Sequence, residues 1–498
     1  MKEMKSLARE TAIYGLSSML GRFLNWLLVP LYTFVLASSA DYGIVTNLYA
    51  WTALLIVILT YGMETGLFRF INREDQNPTQ VYSTTLICVG TTSLIAIAGF
   101  AGFAPSISRW LGYEAHSEFV AMMGIIVSID AFDCIPFAYL RYRRRAIKFA
   151  AFKLLGIFVN IACNLFFLIG CPRLMQTHPE WIDWFFRPDY GVGYVFVSNM
   201  ISTGVITVCL LPDILRAGWD FNRTLLAKML RYSLPLLILG VAGIMNQTLD
   251  KILFPFLYKA GDAQAELGIY GACFKIAMVM MMFTQAFRYA YEPFIFAKQT
   301  DKNSVETYAD AMKYFVIFSL LILLGMVFYL DLIKHIINPA YWVGLKVVPV
   351  VLWSYVFQGI FFNLSLWYKL TDKTMYGAWF SIGGLVITLI VNLIFVPTHS
   401  YMASAWASFA CFSVIMVLSY LIGRKYYPVP YDLKSIGFYM LLTVVMLFVS
   451  HWLKTGTTWL DMLLNTGLLA VYCAVVFLRD FRALVRYKFN KNTLQQPS

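Results

Sequence analysis

The residues best equipped for chemistry in this chain are charges set inside apolar stretches. Arg22 lies near the middle of the stretch 10–36, with Asn25 three residues on and so on the same helical face. Glu64 and Arg69 lie in 43–70, and Asp130 and Asp133 lie in 118–140. The stretch 228–257 carries Asn246-Gln247-Thr248-Leu249-Asp250-Lys251 between Pro235 and Pro255, and 265–290 carries Lys275 and Arg288, followed by Glu292-Pro293. A charge at a bilayer centre costs about 2.5–3.5 kcal/mol on insertion scales, so each is a functional hypothesis. Cations are prominent in the first, second, seventh and eighth stretches. A cationic, water-filled cleft suits an anion, and a diphosphate fits best, because Arg forks and Lys points pair with phosphate oxygens.

Each of these residues also has a structural reading. Arg22 and Glu64 could be an ion pair joining two helices. Arg69 could be a positive-inside anchor, and Arg288 stands near the inner interface. Asp250 and Lys251 are adjacent and expected to diverge, with Lys251 snorkelling outward, and Lys153 is expected to snorkel. Lys275 is the deepest cation of its stretch and the least able to do so. Asp130 and Asp133, at i and i+3, share a face and could bind a coupling cation or line an interface.

The elements that must position these residues follow from composition. Of the 498 residues, 60% are hydrophobic and 13% charged, about half the charged share of a soluble protein. A soluble protein of this size would need far more polar surface. About 14 stretches reach the roughly 20 apolar residues that span a bilayer. They are continuous rather than alternating, which predicts an all-α integral membrane protein and not a barrel. With the N-terminus inside, 27 of the 39 Lys and Arg fall in cytoplasmic segments, 7 in outer loops and 5 within spans. The alternation predicts an even span count with both termini cytoplasmic. The net charge of +12 is thus a signature of the cytoplasmic leaflet, not a nucleic-acid footprint. The cluster 141–148 (RYRRRAIK) reads as a topology determinant that meets anionic lipid.

The chain also matches itself. Residues 139–167 align with 367–395 without a gap, placing Arg145 on Lys373, Phe152 on Phe380, Gly156 on Gly384 and Asn164 on Asn392. This predicts two six-helix bundles facing a central cleft, at 1–222 and 223–426, with two further helices and a basic tail at 427–498. Facing repeats around a midplane cleft are the architecture of alternating access. No G-x-x-x-x-G-K-[ST], H-E-x-x-H or G-x-S-x-G occurs, and the eight Cys form no C-x-x-C pair. These absences predict no enzyme, cofactor or metal, and energy drawn from an ion gradient, the membrane potential or consumption of product.

Residues 14–23 (YGLSSMLGRF), Asp41-Tyr42-Gly43-Ile44, 62–70 (GMETGLFRF), Tyr190-Gly191 and 246–251 (NQTLDK) carry a resemblance. In combination they resemble the polysaccharide-biosynthesis flippases of the multidrug/oligosaccharidyl-lipid/polysaccharide exporter superfamily. The resemblance implies translocation of undecaprenyl-diphosphate-linked oligosaccharide across the bacterial inner membrane for surface polysaccharide such as O-antigen. It makes Arg22, Asn25, Arg69, Lys275 and Arg288 candidate contacts of the diphosphate. Glu64, Asp250, Lys251, Asp130 and Asp133 become candidate gating or coupling residues. The implied partners are the lipid-linked substrate, membrane lipids and the glycosyltransferases or polymerase of the same pathway. A cation-coupled drug exporter, a peptidoglycan lipid-precursor flippase and a membrane glycan polymerase are the alternatives.

Overall fold

The computed structural model describes residues 14–17, 19–298 and 304–481, and among them there is no β-strand. Among the described residues, thirteen helices are long and apolar enough to cross a membrane. The first expected span, 10–36, begins outside the described residues, as do the basic N-terminal and C-terminal tails and the side chains of Glu292 and Pro293.

In chain order, α1 comprises residues 14–17, 19–26 and Leu28–Val35, and α2 comprises Ser39–Thr60 and Met63–Ile71. Pro78–Leu111 forms α3, Ser117–Tyr142 α4, Ala146–Leu165 α5 and Gly191–Leu215 α6. Arg223–Leu257 forms α7, Ala263–Lys298 α8, Ser304–Phe328 α9 and Val347–Leu364 α10. Met375–His399, Tyr401–Tyr426, Leu433–Trp452 and Thr458–Val476 are α11 to α14. The helices pack as two compact units, 1–275 with 375–411 and 276–374 with 412–498.

Local chemistry sets where helices break. Pro30 has no N–H for the carbonyl of Trp26, and the chain turns at Leu27. In α2 the break falls at Tyr61 and Gly62, with φ of 32° and 73°. Gly62 adopts this left-handed conformation without steric cost. The second segment then starts at Met63, which sets Glu64 in a first helical turn, where unpaired N–H groups favour a carboxylate. This segment is wedged into an apolar cluster with α3, α4, α6 and α7, and Met63 and Leu67 are fully buried. Prolines flank the polar cluster of α7 and could break that helix in the same way. There the helix runs through both Pro235 and Pro255. Membrane helices absorb a lost backbone bond of this kind when neighbours re-satisfy the freed carbonyl.

The self-match recurs in the backbone. Arg144 and Asp372, which align, are both left-handed, with φ of 53° and 57°. In each copy the next amide reaches back five residues, Arg145 N to Leu140 O and Lys373 N to Tyr368 O, both at 2.9 Å. The aligned Asn164 and Asn392 are fully buried, and each donates to the carbonyl four residues earlier. Each also accepts a hydroxyl, from Tyr32 at 3.0 Å and from Ser404 at 2.7 Å.

A second correspondence escaped the self-alignment. Asp41-Tyr42-Gly43-Ile44 at the start of α2 parallels Glu266-Leu267-Gly268-Ile269 at the start of α8. The two glycines are where these helices touch. A Cβ on Gly268 would stand 1.8 Å from the Ser39 carbonyl oxygen, and one on Gly43 would stand 1.9 Å from that of Gln264. Small residues at such a crossing let backbones meet and replace hydrophobic driving force with close packing.

Two tests follow. Gly268→Ala pushes a methyl into backbone and should lower thermal stability in detergent by about 1–3 kcal/mol. Gly383→Ala, with nothing within 4 Å of its added Cβ, should leave stability unchanged or slightly raised; equal losses at the two sites would overturn the close-crossing account. For topology, Cys at the exposed Lys434 should label from the cytoplasm and Cys at the exposed Thr457 from the opposite side. Labelling of both from one side would break the span order.

Candidate functional site

Five helices of the first unit, α1, α2, α4, α5 and α6, enclose a cavity of about 700 Å³. Arg22 and Asn25 enter it from α1, Glu64 from α2, Asp130, Asp133 and Arg141 from α4, and Lys153 from α5. The contribution of α5 is a helical stripe at i, i+3, i+4, i+7, i+8 and i+11: Phe149, Phe152, Lys153, Gly156, Ile157 and Asn160. Gly156 lets α6 approach, and Ser202 Oγ donates to its carbonyl at 2.6 Å.

Arg22 is exposed and makes no ion pair among the described residues. Glu64 is not its partner. One Glu64 oxygen is ion-paired with Arg141, and the other accepts from Cys134 Sγ at 2.8 Å. The Arg141 guanidinium lies 5.0 Å from the Phe68 ring centre and 5.7 Å from that of Phe149. Arg141 had been grouped with the topology cluster, and its distance along the chain from Glu64 hid the pairing.

Lys153 does not snorkel. Its ammonium sits 4.0 Å over the Phe137 ring, on the wall of the cavity. Across from it, Thr203 donates to Asp130 at 3.1 Å and Thr207 donates to one oxygen of Asp133 at 2.8 Å. The other Asp133 oxygen is buried and has no hydrogen-bond partner among the described residues. Asn199 donates to Tyr49 at 2.7 Å on the same wall. The cavity therefore sets three cations, Arg22, Arg141 and Lys153, against three carboxylates, Glu64, Asp130 and Asp133. Cationic and acidic side chains are equal in number in this lining.

The remaining sequence candidates stand elsewhere. Arg69 is exposed, with its guanidinium 4.0 Å over the Tyr232 ring. Lys275 is half-buried, and its backbone carbonyl accepts the Trp26 indole N–H at 2.8 Å. Arg288 belongs to the second unit, 5.4 Å from the Phe362 ring, in a small recess with Thr284 and Asn363.

Asp250 and Lys251 were expected to diverge, yet they pair. Lys251 Nζ lies 2.9 and 3.1 Å from the two Asp250 oxygens and 3.3 Å from the Gln247 carbonyl. Four flexible methylenes let the ammonium curl back where rigid neighbours would point apart. Tyr270 donates to Asp250 at 2.7 Å, the Phe274 ring lies 3.7 Å from the ammonium, and Asn47 donates to the Lys251 carbonyl at 2.7 Å. Among the described residues no group of three His, Cys, Asp or Glu is placed to hold a metal.

Removing one member of this buried pair should strand the other. Asp250→Asn or Lys251→Met alone should cost about 3–5 kcal/mol of stability, and the double variant should recover most of it. Thermal unfolding in detergent reads all three; a double variant as unstable as the worse single one would remove the pairing as the cause.

Residues 7–166 match the profile of the family described as polysaccharide biosynthesis protein. Among curated proteins, no sequence match is found. Among solved structures, the fold is similar to the lipid II flippase MurJ in an inward closed conformation. The TM-score is 0.72 at 13% identity, covering 95% of this chain and 99% of that one. It is also similar to an inward-facing multidrug resistance MATE family transporter of the MOP superfamily, with a TM-score of 0.64 at 14% identity, covering 83% and 94%. The outward-facing form of such a transporter gives a TM-score of 0.55 at 13% identity, covering 84% and 95%. The kinship read from the motifs is borne out: the chain is a multi-pass helical membrane protein with the fold of these flippases and exporters, and its first third carries the signature of the polysaccharide biosynthesis protein family.

Proposed function

We propose that the protein translocates an oligosaccharide linked to a polyprenyl diphosphate, of the undecaprenyl type, from the inner to the outer leaflet of the bacterial cytoplasmic membrane. The glycan is destined for surface polysaccharide, and the two six-helix repeats alternate access to the cargo. The observation that carries this reading is Arg22, a cation facing the cavity with no carboxylate partner among the described residues. A phosphate oxygen is the partner its fork is shaped for. The match of residues 7–166 to the polysaccharide biosynthesis protein family supports a glycan cargo. The solved relative named as a lipid II flippase supports a lipid-linked cargo. Both termini lie in the cytoplasm in this reading, and the enzymes that build and consume the glycan are its neighbours in the pathway.

A second reading draws on Asp133. Its unpartnered carboxylate oxygen, beside Asp130, favours a cation in the same cavity, either as a coupling ion or as the cargo of a drug exporter.

Substitution separates the two. Arg22→Lys should keep partial translocation, while Arg22→Gln should lose about ten- to hundredfold in affinity for the diphosphate at equal folded protein, the cost of a charge-assisted contact. Asp130→Asn and Asp133→Asn should spare lipid-linked glycan binding. Flux of a fluorescent lipid-diphosphate glycan in proteoliposomes is the measurement. Full flux in Arg22→Gln, with loss in both Asp variants, would replace the anion reading by the cation one. The pair Glu64→Gln and Arg141→Gln, alone and together, reports separately on fold.

A further inference from the structure

The connection after α5 is folded into a fixed shape and presents aromatic rings to solvent. Ile182 and Phe186 are its buried anchors. Phe186 stacks on Tyr194 at 5.2 Å, and the Tyr194 hydroxyl accepts the Arg187 amide at 2.7 Å. On this base Trp181 and Trp184 are 63% and 82% exposed. Neither ring is left to rotate freely. His178 stacks on one face of Trp181 at 4.7 Å, and the Trp184 indole N–H donates to the Trp181 carbonyl at 3.1 Å. Glu180, Asp183, Arg187 and Asp189 share this segment with the two Trp and are all exposed.

We infer that this loop is a carbohydrate-binding platform that receives the glycan on the outer face. The inference rests on the proposed glycan cargo and goes on to name where its sugars dock. Sugar rings present axial C–H groups that stack on indole faces, and hydroxyls that donate to carboxylates and accept from a guanidinium. The loop offers both in a preformed arrangement, which lowers the ordering cost of binding.

Two observations favour sugar over the lipid headgroup belt, the usual home of exposed Trp. The segment Ala146–Thr177, which ends at the platform, has 32 residues, or about 48 Å of helix. From Lys148 to Thr177 is about 45 Å of helix, or about 42 Å along the normal at a tilt of about 20°; with Lys148 at the inner edge of the hydrocarbon core, the core of about 30 Å and one headgroup layer of about 5–8 Å leave the far end beyond the outer headgroups. The exposed charge of this segment, three carboxylates against one arginine, also disfavours an anionic lipid surface.

The test uses the full chain in lipid nanodiscs, with maltotriose, chitotriose and mannotriose as lipid-free probes. At least one should give saturable transfer of magnetisation from the protein to the sugar and a matching change in Trp fluorescence. Trp184→Ala and Trp181→Ala, each with unchanged thermal stability, should weaken that binding at least tenfold. The proposal is overturned if none of the three sugars binds, if both Trp variants bind as wild type, or if brominated lipid quenches the Trp181 and Trp184 signal. Should a variant lose stability, Asp183→Asn at the rim replaces it, and its unaltered sugar affinity together with lipid quenching would equally overturn the platform. Arg22→Gln is the control. It should lower flux through its weakened diphosphate affinity yet leave trisaccharide binding intact, so failure of the platform and failure of the diphosphate site give different patterns.

Discussion

A backbone amide in hydrocarbon has no water to bond, and most of this structure follows from that constraint. It explains why the described spans are helical and why their irregularities fall where other protein groups can meet the freed polar atoms. The turn at Leu27 and the break at Tyr61-Gly62 are of this kind. The break in α2 also has a use. It starts a new helix at Met63 and so supplies Glu64 with a partly positive helix end, next to the Arg141 that neutralises it.

The same scarcity of water disciplines the charges. Asp250 and Lys251 are buried together and satisfied by each other, by Tyr270 and by the Gln247 carbonyl. Glu64 takes Arg141 and Cys134. What is left over, Arg22, Lys153 and one oxygen of Asp133, opens onto one cavity or lies buried beside it. Charges satisfied within the protein thus separate from those that face the cavity, which a count of ionisable residues per span cannot reveal.

The helical class, the span order and the identity of the polar residues were legible in the sequence, because apolar run length and Lys/Arg placement encode them directly. The self-match was legible too, down to a left-handed residue at Arg144 and Asp372. Partner choice was not. Glu64 and Arg141 are 77 positions apart, and only packing of α2 on α4 brings them together. Lys153 looked like an interfacial residue because a four-methylene stem can snorkel; what told against it was the stripe Phe149, Phe152, Gly156, Asn160, whose spacing marks one helix face. Arg69 and Lys275 were gathered with Arg22 on charge alone, and neither lines the cavity that Arg22 enters.

The balance of the cavity has an electrical consequence. Three cations and three carboxylates stand in its lining, so in the proposed cycle a lining with every one of them ionised would add no net charge of its own to the empty cavity. For a diphosphate cargo, the charge that moves is the cargo's. Two negative charges driven outward across an inside-negative potential gain about 4–5 kcal/mol per 100 mV. A neutral carrier would then harvest voltage on the loaded stroke and spend none of it on the return.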